Sequence, residues 1–298
     1  MLAGGRGLLL PLRAMNPTLK SAASLTVSVV LYHSDLACLE LTLTSLLAAV
    51  AAAREEGVLA EAGVVIEDNS VAPAYHQRLG STLERLDWAA AGVSLRCRAA
   101  ADNGGYGAGH NGALRDHRDS DLYLVLNPDV ELDRDALSTG LQFLQTEPDA
   151  VLVCPRGRDG DDAPAHLGKR YPTVLALVLR AFAPAPLRAV FARQLAVYEM
   201  HEVELMETPV EVPLASGCCM LLRAGSWREV GGFDPRYFLY FEDFDLSLRL
   251  ARLGRVYCLP QMTIRHFGGG SAAKGWRHRC WFLRSGIRFF NSHGWRWI

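Results

Sequence analysis

The stretch DNGGYGAGHNGALRDHRDSDLYLVLNPDV, residues 102–130, decides how this chain folds. Its front half is a glycine-rich loop that opens a helix. Its back half, DLYLVL, is a short apolar run of the kind buried on both faces of a parallel sheet. The same order recurs upstream. LTVSVVLYH (Leu25–His33) reads as a buried strand, LACLELTLTSLLAAVAAAREEG as a helix ending near Gly57, and AGVVIEDNS as a second buried strand that stops at Asp68-Asn69-Ser70. A helix from Ala74 to Trp88 and a strand at GVSLRCRAA lead back to the glycine loop. Strand alternating with helix in this way predicts a mainly parallel α/β sheet covered by helices. Ligands of such sheets bind beyond the carboxyl ends of the strands, where Tyr32, Asp68, the glycine loop and Asp129 all fall.

Within the loop, GAGHNG (Gly107–Gly112) matches the GxGxxG pattern of dinucleotide folds. The pattern belongs to the first strand–helix turn, whereas here it follows the third strand. The acid expected on a ribose would be Asp129, which instead sits beside a turn-forming proline. A dinucleotide-dependent dehydrogenase is therefore the weaker enzyme reading. The glycines still allow close approach of the backbone to a ligand.

With 298 residues, half of them hydrophobic and 21% charged, the chain can bury a substantial core. A net charge of −1 gives no global argument for nucleic acid or lipid. The distribution is uneven: residues 262–298 carry Arg265, Lys274, Arg277, Arg279, Arg284, Arg288 and Arg296 and no acid, which points to an anionic partner for that end. Its aromatic residues, among them Trp276, Trp281, Trp295 and Trp297, suit a peripheral contact with an anionic membrane. Seven scattered cysteines without CxxC spacing suggest neither a zinc site nor a disulfide framework and fit a reducing cytoplasm. No uninterrupted apolar run approaches a membrane span. Residues 1–24 read as a disordered leader, with Met15 an alternative start, followed by one catalytic domain over 25–261 and a basic aromatic extension over 262–298 packed on it.

Beyond Asp149 the pattern loosens. TVLALVLRAFAPAPLRAVFARQLAVYEM is an apolar, basic pair of helical segments broken at Pro184 and Pro186: a lid, a dimer surface, a membrane-touching element or ordinary core. VEVPLASGCCMLLRA reads as a strand interrupted at Ala215-Ser216-Gly217. In YFLYFEDFDLSLRLARLG (Tyr237–Gly254), Leu246, Leu250 and Leu253 keep helical spacing, with Gly254 as the residue after the helix. Glu242, Asp243 and Asp245 then lie in its first turn, as caps or as catalytic acids, and the run of aromatics before them suggests a walled cavity.

Taken in order, VSVVLYH, VVIEDNS, DNGGYGAGHNGAL, LYLVLNPDV, SGCCMLLRAGSWREVGGFDPRYFLYFEDFDLSLRLARLG and IRHFGGGS resemble the inverting glycosyltransferases of family 2, in particular the rhamnosyltransferase-like branch, over about Val27–Gly294. The resemblance implies a GT-A (Rossmann-like) fold, a mixed and mainly parallel sheet flanked by helices with a C-terminal helical extension. It implies transfer of a sugar, L-rhamnose from dTDP-L-rhamnose, to a growing cell-surface glycan such as O-antigen or to a lipid-linked oligosaccharide. The enzyme would work in the cytoplasm at the inner face of the membrane. A UDP- or GDP-sugar donor, or a catalytically silent carbohydrate-binding protein, are the alternatives.

By the same resemblance, Asn127-Pro128-Asp129 stands where the family has its D-x-D motif, with Asn127 replacing the first acid. Asp129 and His266 would hold a divalent metal, Mg²⁺ or Mn²⁺, which tolerates a single carboxylate when phosphates and water complete its shell. Asp243 would be the general base for the acceptor hydroxyl, kept ionised by the helix dipole, with Glu242 orienting the acceptor or supporting the loop. Asp245 would cap the helix or pair with Arg249. On the donor side, Tyr32 would lie near the nucleobase and Asp68 within reach of a pyrimidine N3–H. Asn103, Gly104, Tyr106 and Asn127 would line the nucleoside diphosphate pocket, and Lys274 would screen the diphosphate or meet an anionic carrier.

Overall fold

The structure, a computed structural model, describes residues 22–268 and 275–298. Expectations for most of the leader and for Lys274 therefore lie outside the described residues. The first half of the chain alternates as its sequence predicts: β1 (Ala23–Leu31), α1 (Leu36–Glu55), β2 (Leu59–Asp68), α2 (Pro73–Leu83), β3 (Val93–Ala99), α3 (Tyr106–Leu114) and β4 (Leu122–Leu126). Strand β1 starts inside the segment read as leader, at Ala23, and α2 ends five residues before Trp88. After a turn at Asn127–Asp129 come β5 (Val130–Leu132), α4 (Ala136–Thr146), β6 (Ala150–Asp159) and β7 (Gly168–Lys169). Three short helices follow, α5 (Val174–Phe182), α6 (Ala185–Val190) and α7 (Ala192–Tyr198). The chain closes with β8 (Val210–Glu211), β9 (Leu214–Ala215), β10 (Cys219–Arg223), α8 (Ala224–Val230), α9 (Glu242–Leu250), β11 (Arg255–His266) and α10 (Gly275–His293).

The main sheet runs β3-β2-β1-β4-β10-β6-β11-β5, with β8 on β11. Its β3-β2-β1-β4 half is parallel, so the polar ends of β1, β2 and β4 emerge on one rim. Strand β10 enters antiparallel between β4 and β6, and makes the sheet mixed. Strand β4 shows why the sheet needs two covers. Leu122, Leu124 and Leu126 join a core layer with α1 and α4, while Tyr123 and Val125 join the opposite layer with α8 and α9. The period-2 alternation of a strand thus feeds two apolar layers at once.

Helix α1 is, among the described residues, the one helix long and apolar enough to cross a membrane. Here Leu39, Leu43, Leu46 and Val50 bury it against the sheet, and Asp35 caps it by accepting from the amides of Ala37 and Cys38. All seven cysteines are free. The predicted extension boundary at 262 falls inside β11, so the last strand continues into what reads as a tail. Helix α10 docks through Phe289 and Phe290 onto Tyr237, Phe241 and Phe244, a third apolar cluster worth about 1.5–3 kcal/mol per fully buried ring. Trp276, Trp295 and Trp297 remain exposed.

Candidate active site

The rim of β1, β2 and β4 opens into a cavity of about 570 Å³ whose walls include Tyr32, Asn69, Asn103, Tyr106, Phe238 and Trp281. Its glycine loop is held in place from several sides. Asn103 Oδ1 accepts from the Gly105 amide at 3.0 Å, Asn69 Nδ2 donates to the Gly105 carbonyl at 3.2 Å, and the Tyr106 amide donates to the Phe238 carbonyl at 3.1 Å. Gly105 has φ +94°, and a Cβ there would overlap the Phe238 carbonyl, so glycine is required twice over. The GxGxxG glycines serve packing: a Cβ on Gly107 would press on Phe233 and one on Gly109 on Val30. Behind them His110 is fully buried against Ser28 Oγ at 2.7 Å, and burial pushes its imidazole down to about 3, so it stays neutral.

Tyr32, Asn103 and Tyr106 therefore line one cavity, as their sequence positions suggest. Asp68 and Gly104 do not line it. The Asp68 carboxylate is buried, accepting from the Ser70 amide at 2.9 Å and lying 3.0 Å from His76 Nδ1.

The turn after β4 carries the second group. Asp129 Oδ1 lies 3.3 Å from His266 Nε2, at the end of β11, where β11 pairs with β5. The Asp129 Oδ1 and Asn127 Oδ1 atoms are buried without hydrogen-bond partners among the described residues. An orphaned carboxylate oxygen beside an imidazole nitrogen is a donor pair that fits a divalent cation. Gly268 closes the site: a Cβ there would collide with Asp129 and crowd His266. His166, Glu199 and His201 also bring ligand atoms within 4.8 Å of one another, but Glu199 is engaged by Arg180 at 3.3 Å. The Asn127 amide donates to the Cys218 carbonyl at 2.8 Å, which ties the Asp129 turn to the segment before β10.

Asp243 reaches the same segment from the other side. Its Oδ2 accepts from the Gly217 amide at 2.9 Å and its Oδ1 from the Phe244 amide at 2.9 Å, while the Gly217 carbonyl accepts from the Tyr106 hydroxyl at 2.6 Å. Phe241 before the helix has φ +66°, and its side chain offers α9 no cap. Asp245 pairs with Arg249 at 2.7 Å and with His293 at 2.8 Å, as the sequence suggested in part. Helix α9 stops at Leu250, so Gly254 is not its terminal glycine. Gly254 is needed because a Cβ there would overlap the Asp149 carbonyl.

Asp243 and Glu242 line a second cavity, of about 320 Å³, walled by Tyr240, Phe241, Phe282 and Lys169. Of the aromatic run, Tyr240 and Phe241 thus face this cavity, Phe238 faces the first, and Tyr237 is core. Burial raises the Glu242 carboxyl well above its ordinary range, and the neighbouring Asp243 charge raises it further. The helix N-terminus is not the sole influence on Asp243. Burial raises its carboxyl too, against the opposing pull of the Gly217 and Phe244 amides and of Lys169. Asp243 holds amide partners that Glu242 Oε2 lacks, so of the two carboxylates Asp243 is the better supported as an anion.

A profile of the family described as "Glycosyltransferase like family 2" matches residues 25–280. The chain belongs to this family. An N-acetylglucosaminyl-diphospho-decaprenol L-rhamnosyltransferase of Mycobacterium tuberculosis is 31% identical over 158 residues, 52% of this chain and 49% of that protein. The chain thus spans about half the length of that relative. The rhamnosyltransferase WbbL of Escherichia coli K12 is 27% identical over 199 residues, 62% of this chain and 70% of WbbL. A structure of GalNAc-T7 with UDP, GalNAc and Mn²⁺ superposes with a TM-score of 0.62 at 12% identity, covering 91% of this chain and 48% of the other. The fold is GT-A.

Sequence reasoning missed several walls of these cavities. Lys169, Arg180 and Tyr198 reach the smaller cavity from a region without a motif. Ser216 and Gly217, visible in the sequence as a small-residue break, prove to be the junction between Tyr106 and Asp243. Trp276 and Arg277 join Tyr32 at the larger cavity.

Proposed function

We propose that this glycosyltransferase moves L-rhamnose from dTDP-L-rhamnose to a saccharide acceptor on a lipid-linked or cell-surface glycan, with inversion. The larger cavity takes the nucleotide sugar and the smaller one the acceptor. The observation that carries this division is the backbone of Gly217, whose carbonyl holds Tyr106 in one cavity and whose amide holds Asp243 in the other. The names of the mycobacterial and Escherichia coli relatives support the sugar.

In this reading Asp243 Oδ accepts the acceptor hydroxyl proton as the hydroxyl oxygen attacks C1 of the donor sugar. The bond from C1 to the diphosphate breaks on the opposite face, which inverts the centre in one displacement without an enzyme nucleophile. Glu242, whose carboxyl burial and the Asp243 charge raise above the ordinary range, stands beside the acceptor and leaves Asp243 as the basic group. Asp129 and His266, with Asn127 beside them, would hold Mg²⁺ or Mn²⁺, which when bound would neutralise charge on the leaving diphosphate. Tyr32, Asn103 and Tyr106 position the nucleoside, with Gly104 part of the loop that carries Asn103 and Tyr106. Asp68 supports that wall through Ser70 rather than by direct reach. The protein works in the cytoplasm with a peripheral contact to an anionic membrane through α10.

The test is a panel of dTDP-, UDP- and GDP-sugars assayed for binding and slow hydrolysis with Mg²⁺ or Mn²⁺. Selective hydrolysis of dTDP-L-rhamnose is expected. Selective hydrolysis of a UDP- or GDP-sugar overturns the donor assignment, and no hydrolysis of any donor indicates a catalytically silent binding protein.

A further inference from the structure

The start of α10 stands between the two cavities. Trp281 walls the larger one and Phe282 the smaller, so neighbouring positions of one helix face different chambers. Residues three and four apart share a helix face, and His278 lies one turn before both, three residues from Trp281 and four from Phe282. Among the described residues, His278 is the only one that lines both cavities.

The loop before α9 is laid over this helix in the same divided way. Phe238, on the larger cavity, packs on Trp281 with ring centres 4.8 Å apart. Tyr240, on the smaller cavity, packs edge-on against Phe282 at 5.8 Å. Between them the Leu239 carbonyl accepts from Ser285 Oγ at 2.8 Å, which fastens the loop to α10. Tyr240 and Phe241 both take the left-handed backbone conformation, with φ +70° and +66°. Such strain in residues other than glycine persists only where the surroundings over-determine it, and it clusters at functional sites. Here it carries the chain from one cavity to the other and brings Tyr240 Oη within 2.8 Å of His278 Nδ1, a hydrogen bond. The imidazole is thus held by Tyr240 on one side and by an edge-to-face contact with Trp281, ring centres 5.0 Å apart, on the other. It is a fixed, half-buried polar ring in a partition otherwise built of aromatic side chains.

We infer that His278 is a specificity-determining residue that touches the transferred pyranose, by a polar contact to a sugar hydroxyl, and that Tyr240 is its positioning residue. This rests on the reading of the two cavities as donor and acceptor sides. In an in-line displacement C1 lies between the leaving oxygen in one cavity and the attacking oxygen in the other. The side chain at the partition is therefore the one that meets the ring of the transferred sugar. An imidazole carries two ring nitrogens, so the hydrogen bond to Tyr240 fixes its orientation without using all its polar capacity.

The experiment uses the full chain with Mn²⁺ and compares calorimetric binding of dTDP-L-rhamnose and of dTDP, together with donor hydrolysis. If the donor panel selects another nucleotide sugar, that sugar and its nucleoside diphosphate take their place. His278→Ala should weaken the nucleotide sugar about threefold to tenfold, the worth of one hydrogen bond between neutral groups, and the nucleoside diphosphate by less than about twofold. Turnover in hydrolysis should fall with it, while the thermal midpoint stays near that of the wild type, because alanine suits a helix. His278→Gln, whose amide can replace a ring nitrogen, should recover most of the sugar affinity. His278→Phe, which keeps a ring without nitrogens, should not. Tyr240→Phe should lower turnover less than His278→Ala and keep nucleoside diphosphate binding. Equal weakening of both ligands in His278→Ala, or wild-type behaviour of His278→Phe, would overturn the sugar contact, and wild-type turnover in Tyr240→Phe would overturn the positioning role. Donor hydrolysis that is equal in wild type and His278→Ala sinks this inference alone, whereas absence of all hydrolysis in the wild type sinks the reading it rests on.

Discussion

Replacing Asp243 by Asn separates its observed job, holding Gly217, from its proposed one, accepting a proton. In Asp243→Asn the side-chain amide oxygen can still accept from one of the two backbone amides that Asp243 now serves, Gly217 and Phe244. The other amide then faces an NH₂ group, a buried mismatch of about 1–3 kcal/mol. The fold should tolerate this, so the thermal midpoint falls modestly and nucleotide binding, which depends on the other cavity, is kept. Loss of a general base costs about 10²–10⁴-fold in rate, or roughly 2.7–5.4 kcal/mol of transition-state stabilisation. Donor hydrolysis and transfer are measured beside calorimetric binding of the nucleotide. Because burial raises the Asp243 carboxyl, wild-type turnover should fall toward acid at a pH above the ordinary aspartate range, and the variant should lose that limb. Turnover within about threefold of wild type, with binding unchanged, would refute the base assignment and leave Asp243 as a strut for Gly217.

Other outcomes follow from the same geometry. Excess chelator should abolish transfer, and Asp129→Ala should weaken metal-dependent nucleotide binding more than His266→Ala, read by calorimetry with and without Mn²⁺; full activity in chelator would remove the metal. Glu242→Gln should stabilise the protein increasingly as pH rises above about 4.5: a folded-state carboxyl raised above its unfolded value withdraws stability upward from that value, at about 1.4 kcal/mol per pH unit until the folded pKa, and the amide removes the effect. Thermal midpoints from pH 4 to 8 that run parallel for the two proteins would contradict this. Gly217→Ala places a Cβ 3.2 Å from the Asp243 Cβ and 3.4 Å from the Tyr106 hydroxyl, so kcat should fall with little loss of stability, and an unchanged kcat would mean the junction is slack. Co-sedimentation with vesicles should require anionic lipid, fall with salt and weaken in Arg188→Glu/Arg284→Glu at about 1 kcal/mol per charge removed; equal binding to neutral vesicles would exclude an electrostatic contact. Arg288 is a poorer probe, because it stacks over the Tyr237 ring at 5.9 Å.

The parallel half of the fold was legible because its strands alternate with helices, with β1 and β4 continuous apolar runs, and such units have one common arrangement. The antiparallel entry of β10 was not, since CMLLR carries no mark of direction: all five residues are buried whichever way the strand runs. The rim residues Tyr32, Asn103 and Tyr106 were readable from their place at strand ends. Lys169 and Arg180 were not, because their sequence neighbourhood has no periodicity that foretells a cavity. Lys169 comes to the cavity through the pairing of β7 with β9, and Arg180 through the packing of α5. The burial around Asp243 was hidden for a related reason. A helix start is visible in sequence, but the burial that opposes its dipole is a property of the packed third cluster, built from residues as distant as Phe289.

The backbone of Gly217 carries the synthesis one step further. Peptide units are planar and stiff, so a group held on a residue's amide and a group held on its carbonyl are separated by only two soft dihedrals. Asp243 hangs from the Gly217 amide and Tyr106 from the Gly217 carbonyl, while the Cys218 carbonyl one residue on receives the Asn127 amide. The proposed donor wall, base and metal-side turn are thereby referred to one short segment between β9 and β10. That segment is anchored in turn by β10 at the centre of the sheet, between β4 and β6. A displacement reaction requires the attacking oxygen, C1 and the leaving oxygen in line, and errors of about 1 Å can cost about 10²-fold. Small residues at 215–217 are what let three such partners converge on one strand of backbone, and this is why the break in VEVPLASGCCMLLRA lies at the heart of the site rather than at its edge.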